Sequence, residues 1–475
     1  MKPNAHRVVI LGAGPAGAGA AYKLRHDARA EVTVLEQHPV PGGNAGSFDF
    51  AGMRVDFGSH RLHPACDPDI LADIRGFLGD DLRDRPRHGR IGLRGRWIHF
   101  PLKPVDLLVR LDPAFALGTM VDMVRKPFRG KVAGDSFADV LMANLGPTIC
   151  ESFYFPYARK MWGREPSELS GIQARRRVSA GSFLKLVRKV LSAVPGLKPP
   201  GAGRFFYPRK GFGQITEAYV AAAESRGANF RFGRRVTRLV PPAGPTDPWV
   251  IEASSEHGEE RIEADQLWST IPIGLLARLV GDGVPPEVHE AASNIESRAM
   301  LLIYLALPVS QFTEYDAHYF PGANVRITRL SEPKHYAATG SPAGSTVLCA
   351  ELPCNPDDPW WSMDDAALAA LVAEDLATAG VPLPAAPTAV LVRRLRQAYP
   401  IYTTGYERWF NTLDQWVASL PKFLSYGRQG LFAHDNTHHA LAMAYAAADC
   451  LEPDGFNAAR WQQHREVFAT HVVED

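Results

Sequence analysis

Cysteine is scarce in this chain and carries no pairing pattern. The five among 475 residues, Cys66, Cys150, Cys349, Cys354 and Cys450, are odd in number and contain no CxxC spacing, which excludes a disulfide framework or a zinc set. Scattered reduced thiols fit a cytoplasmic protein, and no metal is expected. Net charge is nearly absent as well. Lys and Arg number 52 against 51 Asp and Glu, for a balance of +1, so the broad basic field of a nucleic-acid binder is excluded and any anion recognition must be local. No apolar run reaches the roughly 18 residues of a membrane span, so no integral membrane association is expected. The apolar stretch over residues 8–21 is interrupted by Gly12, Gly14, Pro15, Gly17 and Gly19 and reads as strand and turn rather than leader. Leu107 to Met123 is broken by Arg110, Asp112 and Pro113 and reads as one or two amphipathic helices. Repeats and low-complexity runs are missing, which excludes a solenoid.

What the chain does have is an ordinary enzyme-like composition, 46% hydrophobic and 22% charged, at a length that calls for two interleaved domains or one large composite unit. Residues 7–11 form a short β-rich run, a glycine turn follows, then a helix of about a dozen residues from Ala16 and a second strand at Glu31–Leu35. This is a βαβ unit. Within it, Gly12-Ala-Gly14-Pro-Ala-Gly17 sits between strand and helix, the context that a dinucleotide fingerprint requires. Gly12 permits the tight turn, Gly14 lets backbone approach a pyrophosphate, and Gly17 allows close helix-to-strand packing. Glu36 follows 19 residues after Gly17, where a carboxylate can accept from ribose hydroxyls. Further strands are expected at Gln266–Ile271, 299–308, Thr346–Glu351 and Ala389–Arg394, with a helix at Asp364–Ala379 between the last two and an Ala-rich helix at His439–Leu451. Residues 103–200 read as mostly helical.

Pro41-Gly42-Gly43-Asn44 and then Gly52–His63 resemble the second fingerprint of glutathione-reductase-type FAD domains. With Gly58-Ser59-His60, Arg94–Pro104, Tyr157–Gly163, Tyr207–Gly211, Ala398–Pro400 and Gly427–Phe432, the chain resembles the protoporphyrinogen-oxidase-like and amine-oxidase-like flavoproteins, and is most similar to their UDP-galactopyranose-mutase branch. The fold so implied is α/β: a Rossmann-like FAD-binding domain over 1–95, 205–275 and 395–475, a helical insertion over 96–204 lining the substrate pocket, and a mixed β-sheet substrate domain over 276–394.

The resemblance also implies a site. Cofactor contacts fall on Gly12, Gly14, Gly17, Glu36, Gly43, Asn44, His60, Arg428, Phe432 and Asn436, and substrate contacts on Trp162, Arg177, Tyr319, Arg326, Tyr399 and His434. His60, Arg177, Arg326, Tyr399 and Asn436 form the implied catalytic set. His60 would stand beside the flavin ring on a mobile loop, while Arg177, Arg326 and Tyr399 would hold a diphosphate. Trp162 could stack on a base or simply pack in a helical domain, and Arg177, within Arg175-Arg-Arg177, could instead belong to a solvated basic face. Departures lie at Thr437-His438, where relatives carry Gln-Asp, and at His434, where mutases carry tyrosine. Two reactions are consistent with the pattern: pyranose–furanose ring isomerisation of a nucleotide-linked sugar through N5 of reduced FAD, or net oxidation of an amine, alcohol or ring carbon with a separate electron donor or acceptor.

Overall fold

The computed structural model describes residues 6–101, 110, 112–126, 134–177, 203–337 and 342–473. The first strand, His6–Leu11, pairs in parallel with Ala30–Leu35 on one side and Gln266–Ser269 on the other. Asn229–Arg231 and Phe423–Ser425 complete a five-stranded parallel sheet, in the order 423–425, 266–269, 6–11, 30–35, 229–231. Parallel sheets are covered on both faces, so their strands read as continuous apolar runs. Val8, Val9, Ile10 and Leu11 are all buried here. Val8 and Ile10 pack among the helices Pro15–His26, Gln214–Glu224 and Thr437–Asp449. Val9 and Leu11 face the opposite way, against an antiparallel sheet of Arg235–Val240, Trp249–Ser255 and Gly258–Ala264. That alternation is the period of two that a strand imposes.

A second sheet of seven strands runs in the order Ala389–Ile401, Glu296–Leu307, Thr346–Cys354, Arg329–Ser331, Ala317–Tyr319, Gly89–Leu93, Arg96–Phe100. The strands expected at 299–308, 346–351 and 389–394 are its long members. The first starts earlier than expected and the other two run on past their expected ends, because neighbouring partners keep the ladder going: Glu296 to Arg298 pair with Ile401 to Tyr399 beyond a register shift at Arg298/Met300. The sheet draws strands from either side of the boundaries expected at 95/96 and 394/395. The helix Asp365–Thr378, started by the Asp364 carboxylate accepting from the Ala367 N–H at 2.7 Å, covers one face with Leu368, Leu371, Val372 and Leu376.

The other face meets helices from the expected insertion: Phe137–Leu145, Phe155–Trp162 and Gly171–Arg177. Ser136 and Asp139 form a capping box at the first of these. Pro113–Arg125 is helical as well, and residues 102–109, 111, 127–133 and 178–202 lie outside the described residues. Among those described, no helix is long and apolar enough to cross a membrane.

Candidate cofactor and substrate site

The glycine turn sits at the carboxyl end of the first strand. Gly12 has φ +99° and donates its N–H to the Leu35 carbonyl at 2.8 Å, closing the strand ends together. A Cβ on Gly17 would lie 1.9 Å from the Gly12 carbonyl oxygen, so only glycine lets the helix start this close. A Cβ on Gly14 would meet nothing nearer than the Gly42 carbonyl at 4.0 Å. Open space thus lies at the amino end of the helix Pro15–His26, where free N–H groups favour an anion. The second glycine turn closes the cradle, with the Gly42 N–H on the Ala13 carbonyl at 2.9 Å and Gly43 next to Gly14. Glu36 is buried. Its carboxylate accepts the Ala13 and His38 N–H groups at 2.9 Å, one on each oxygen, and each oxygen keeps capacity for a hydroxyl.

Against the seven-stranded sheet, one cavity is lined by Asn44, Gly58, His60, Arg329, Tyr399 and Arg428 among others. It therefore gathers Asn44, His60, Tyr399 and Arg428 from the sequence expectation. The His60 ring stacks on Phe212 with centroids 5.3 Å apart, and its Nε2 lies 2.9 Å from the Phe57 carbonyl. Burial pushes its pKa below the ordinary value, partly opposed by Asp56, so the imidazole is neutral at pH 7.

Arg329 and Glu351, which sequence reasoning missed, face this cavity as an ion pair. A signal existed. Glu351 is a carboxylate within Thr346–Cys354, nine consecutive buried positions, and a charge in such a strand needs a dedicated partner.

A second group adjoins Tyr399. The Arg177 guanidinium lies 5.3 Å from the Trp162 ring centre and 5.2 Å from that of Tyr399, and Arg428 lies 5.0 Å from Tyr399. Trp162 meets the edge of His434 at 5.2 Å. His434 is fixed by Gln173, a fully buried side chain that no sequence motif singles out. The Gln173 Oε1 accepts the Tyr402 N–H at 3.2 Å, so its oxygen faces His434 Nε2 at 3.0 Å. His434 must donate from Nε2, which leaves Nδ1 as an acceptor. Burial, with Arg177, Arg428 and Arg176 adding to it, drives the His434 pKa well below the ordinary value. His434 Nδ1, Gln173 Nε2 and Arg428 Nε are buried without a hydrogen-bond partner. Among the described residues, neither Arg177 nor Arg428 has a carboxylate at salt-bridge distance. Guanidiniums held on aromatic faces without counter-ions make a receptor for an anion.

Other expected residues stand elsewhere. Arg326 is not among the cavity-lining side chains: its Nε donates to Asp375 at 2.8 Å and its Nη2 pairs with Glu374, which holds it against the helix Asp365–Thr378. Tyr319 lies behind Arg329, its hydroxyl accepting from Arg61 at 3.1 Å and its ring edge-on to Phe100. Phe432 lines a separate cavity of about 640 Å³ with Ile273, Arg278, Gln397 and Gln429. Asn436 caps the helix Thr437–Asp449, in a capping box with His439. Immediately beside it, Asp435 meets His471 at 3.2 Å and His439 at 3.8 Å.

Comparison with known proteins gives a consistent family. The model for flavin containing amine oxidoreductase matches residues 16–448. Phytoene dehydrogenase of Streptomyces griseus is 27% identical over 319 residues, covering 59% of this chain but only 57% of that protein. Coproporphyrinogen III oxidase of Mycobacterium tuberculosis is 26% identical over 431 residues, covering 86% and 89% of the two chains. Among solved structures, reduced UDP-galactopyranose mutase shares the fold, with a TM-score of 0.81 at 21% identity over 99% of this chain and 100% of the other.

Proposed function

The chain belongs to the flavin-containing amine oxidoreductase family and uses FAD, and on that footing we propose that it acts on a nucleotide-linked sugar and isomerises the sugar ring. The two facing glycine turns suit the pyrophosphate of FAD, Glu36 suits its ribose, and Asn44 and the capped start of the helix Thr437–Asp449 suit the flavin end. Bound FAD supplies a ring whose N5 accepts hydride when oxidised and is nucleophilic when reduced.

The observation that carries the substrate reading is the pair of guanidiniums, Arg177 and Arg428, that both lie against the Tyr399 ring with no carboxylate at salt-bridge distance among the described residues. Two planar cations and a phenol can hold a diphosphate and meet the charge that grows on it as it leaves a sugar carbon. Trp162 offers an aromatic face beside them. His434 Nδ1 and Gln173 Nε2 supply an acceptor and a donor suited to sugar hydroxyls. His60, neutral on the far wall, can accept or return a proton there.

A net-redox reading keeps support from the relatives matched in sequence, a dehydrogenase and an oxidase by name. One experiment separates the two. Dithionite-reduced enzyme is incubated anaerobically with UDP-sugars. Turnover only in the reduced state, without net electron consumption, is the expected result, and bleaching of oxidised flavin by substrate would instead establish the redox reading.

A further inference from the structure

The loop that carries His60 is held by an ion pair from the opposite sheet. Its backbone leaves the strand Met53–Asp56 through Gly58, whose φ of +91° and close approach to Glu351 disfavour any side chain. A Cβ there would lie 3.3 Å from Glu351 Oε1. Ser59 then donates its N–H to Glu351 Oε1 at 2.9 Å, while its carbonyl accepts from Arg329 Nη2 at 3.3 Å. Arg329 and Glu351 are themselves joined in parallel, Nε to Oε1 at 2.9 Å and Nη2 to Oε2 at 2.8 Å. One buried ion pair therefore grips both polar backbone groups of the residue that precedes His60. The remaining mooring is weaker in charge: Ser59 Oγ meets the Tyr336 hydroxyl at 2.7 Å, and the Gly58 N–H faces the Tyr304 hydroxyl at 3.4 Å.

We propose that Glu351 is a positioning residue: with Arg329 it clamps the backbone of Ser59, sets where the His60 imidazole stands, and keeps Arg329 occupied so that Arg177 and Arg428 receive the substrate anion. The clamp is independent of what the substrate is. The division of labour among the arginines rests on the anionic-substrate reading above. Glu351 is buried at 3% exposure and the Arg329 side chain is only 15% exposed, so turning the loop would break polar contacts that water cannot readily replace. The loop and Arg329 move together or not at all.

The test measures hydrogen–deuterium exchange of backbone amides over residues 57–62 in FAD-loaded protein without substrate, for wild type, Glu351→Ala, Glu351→Gln and the double variant Arg329→Gln/Glu351→Gln. Loss of an acceptor that is charged should raise exchange in Glu351→Ala by about tenfold or more. Glu351→Gln keeps a carbonyl oxygen for the Ser59 N–H, so it should exchange less fast than Glu351→Ala, and the double variant, without a lone buried charge, remains testable if Glu351→Ala fails to fold. Glu351→Gln should also bind inorganic pyrophosphate more tightly, because Arg329 loses its counter-ion. Exchange over 57–62 at the wild-type rate in every folded Glu351 variant would overturn the clamp. Faster exchange spread equally through Thr346–Cys354 would also overturn it, since Glu351 would then be a counter-ion for the sheet alone. Unchanged pyrophosphate binding with a loosened loop would remove the arginine assignment, and failure of every UDP-sugar to react leaves the exchange result untouched.

Discussion

Arg177 and Arg326 were both expected to hold the substrate anion, and the structure gives them different surroundings, so a paired substitution is informative. Arg177→Ala removes a guanidinium that lies 5.3 and 5.2 Å from two ring centres and has no carboxylate at salt-bridge distance among the described residues. A charge-assisted contact to an anion is worth about 1.5–3 kcal/mol, and at about 1.4 kcal/mol per decade this weakens binding roughly 10- to 150-fold. The loss of two cation–π contacts leaves Trp162 and Tyr399 less constrained, which pushes toward the upper end. Arg326→Ala should leave binding alone. Its partner Asp375 is 2% exposed and still accepts the backbone N–H groups of residues 326 and 327 at 2.8 and 2.9 Å, so the cost falls on stability and appears as a lower Tm. The assay is calorimetric titration of each FAD-loaded variant with UDP, beside the flavin absorbance ratio and a thermal melt. Equal losses of affinity in both variants would refute the reasoning, as would an Arg177→Ala protein that no longer holds flavin.

Further outcomes follow from other parts of the site. Gly14→Val should give a folded but colourless protein that cannot be reconstituted with FAD, because the side chain fills the open space at the helix start, whereas Gly17→Ala should impair folding itself through its 1.9 Å approach to the Gly12 carbonyl; absorbance and circular dichroism separate the two. His60→Ala should lower turnover strongly with modest loss of FAD affinity, read by steady-state kinetics beside flavin titration. The pKa of His438 is pushed down to about 3 and that of His439 to about 4, chiefly by burial. Folded-state values below the ordinary one mean that stability is complete above about pH 6.5 and is lost as pH falls toward those values. Tm should therefore drop between pH 7 and pH 4, and His438→Phe should flatten that drop; a parallel slope in the variant would discount the histidine.

The parts of this molecule that were legible in the sequence are those specified by neighbours along the chain. A glycine turn between an apolar strand and a helix states its own geometry, and the strands at 299–308 and 346–351 announce themselves by β-rich apolar runs. What escaped was decided across the fold. Arg326 and Arg329 lie three positions apart, and which of them meets the cavity depends on Asp375 and Glu351, residues distant in sequence that each claim one. Gln173 carries no motif, and its importance arises only when Tyr402 fixes the orientation of its amide. Tyr399 was found through the Ala398–Pro400 motif, yet its place on a strand rather than a loop comes from pairing with Arg298. Asn436 shows a further limit: the same residue that resemblance assigns to the flavin also caps a helix, and sequence alone cannot apportion the two tasks.

The five-stranded parallel sheet has a consequence for the order of events during synthesis. Its first two strands, with the glycine turn between them, leave the ribosome early, but the strand that flanks them on the other side spans Gln266–Ser269 and the outermost spans Phe423–Ser425. Of the helices Gln214–Glu224 and Thr437–Asp449 that pack on Pro15–His26, the second comes later still. A nascent chain thus carries the nucleotide fingerprint with the His6–Leu11 edge unpaired until Gln266–Ser269 has emerged, a state prone to strand addition from other chains. The sheet is complete only once Phe423–Ser425 has been made, and a product cut short before it would be left with an incomplete sheet.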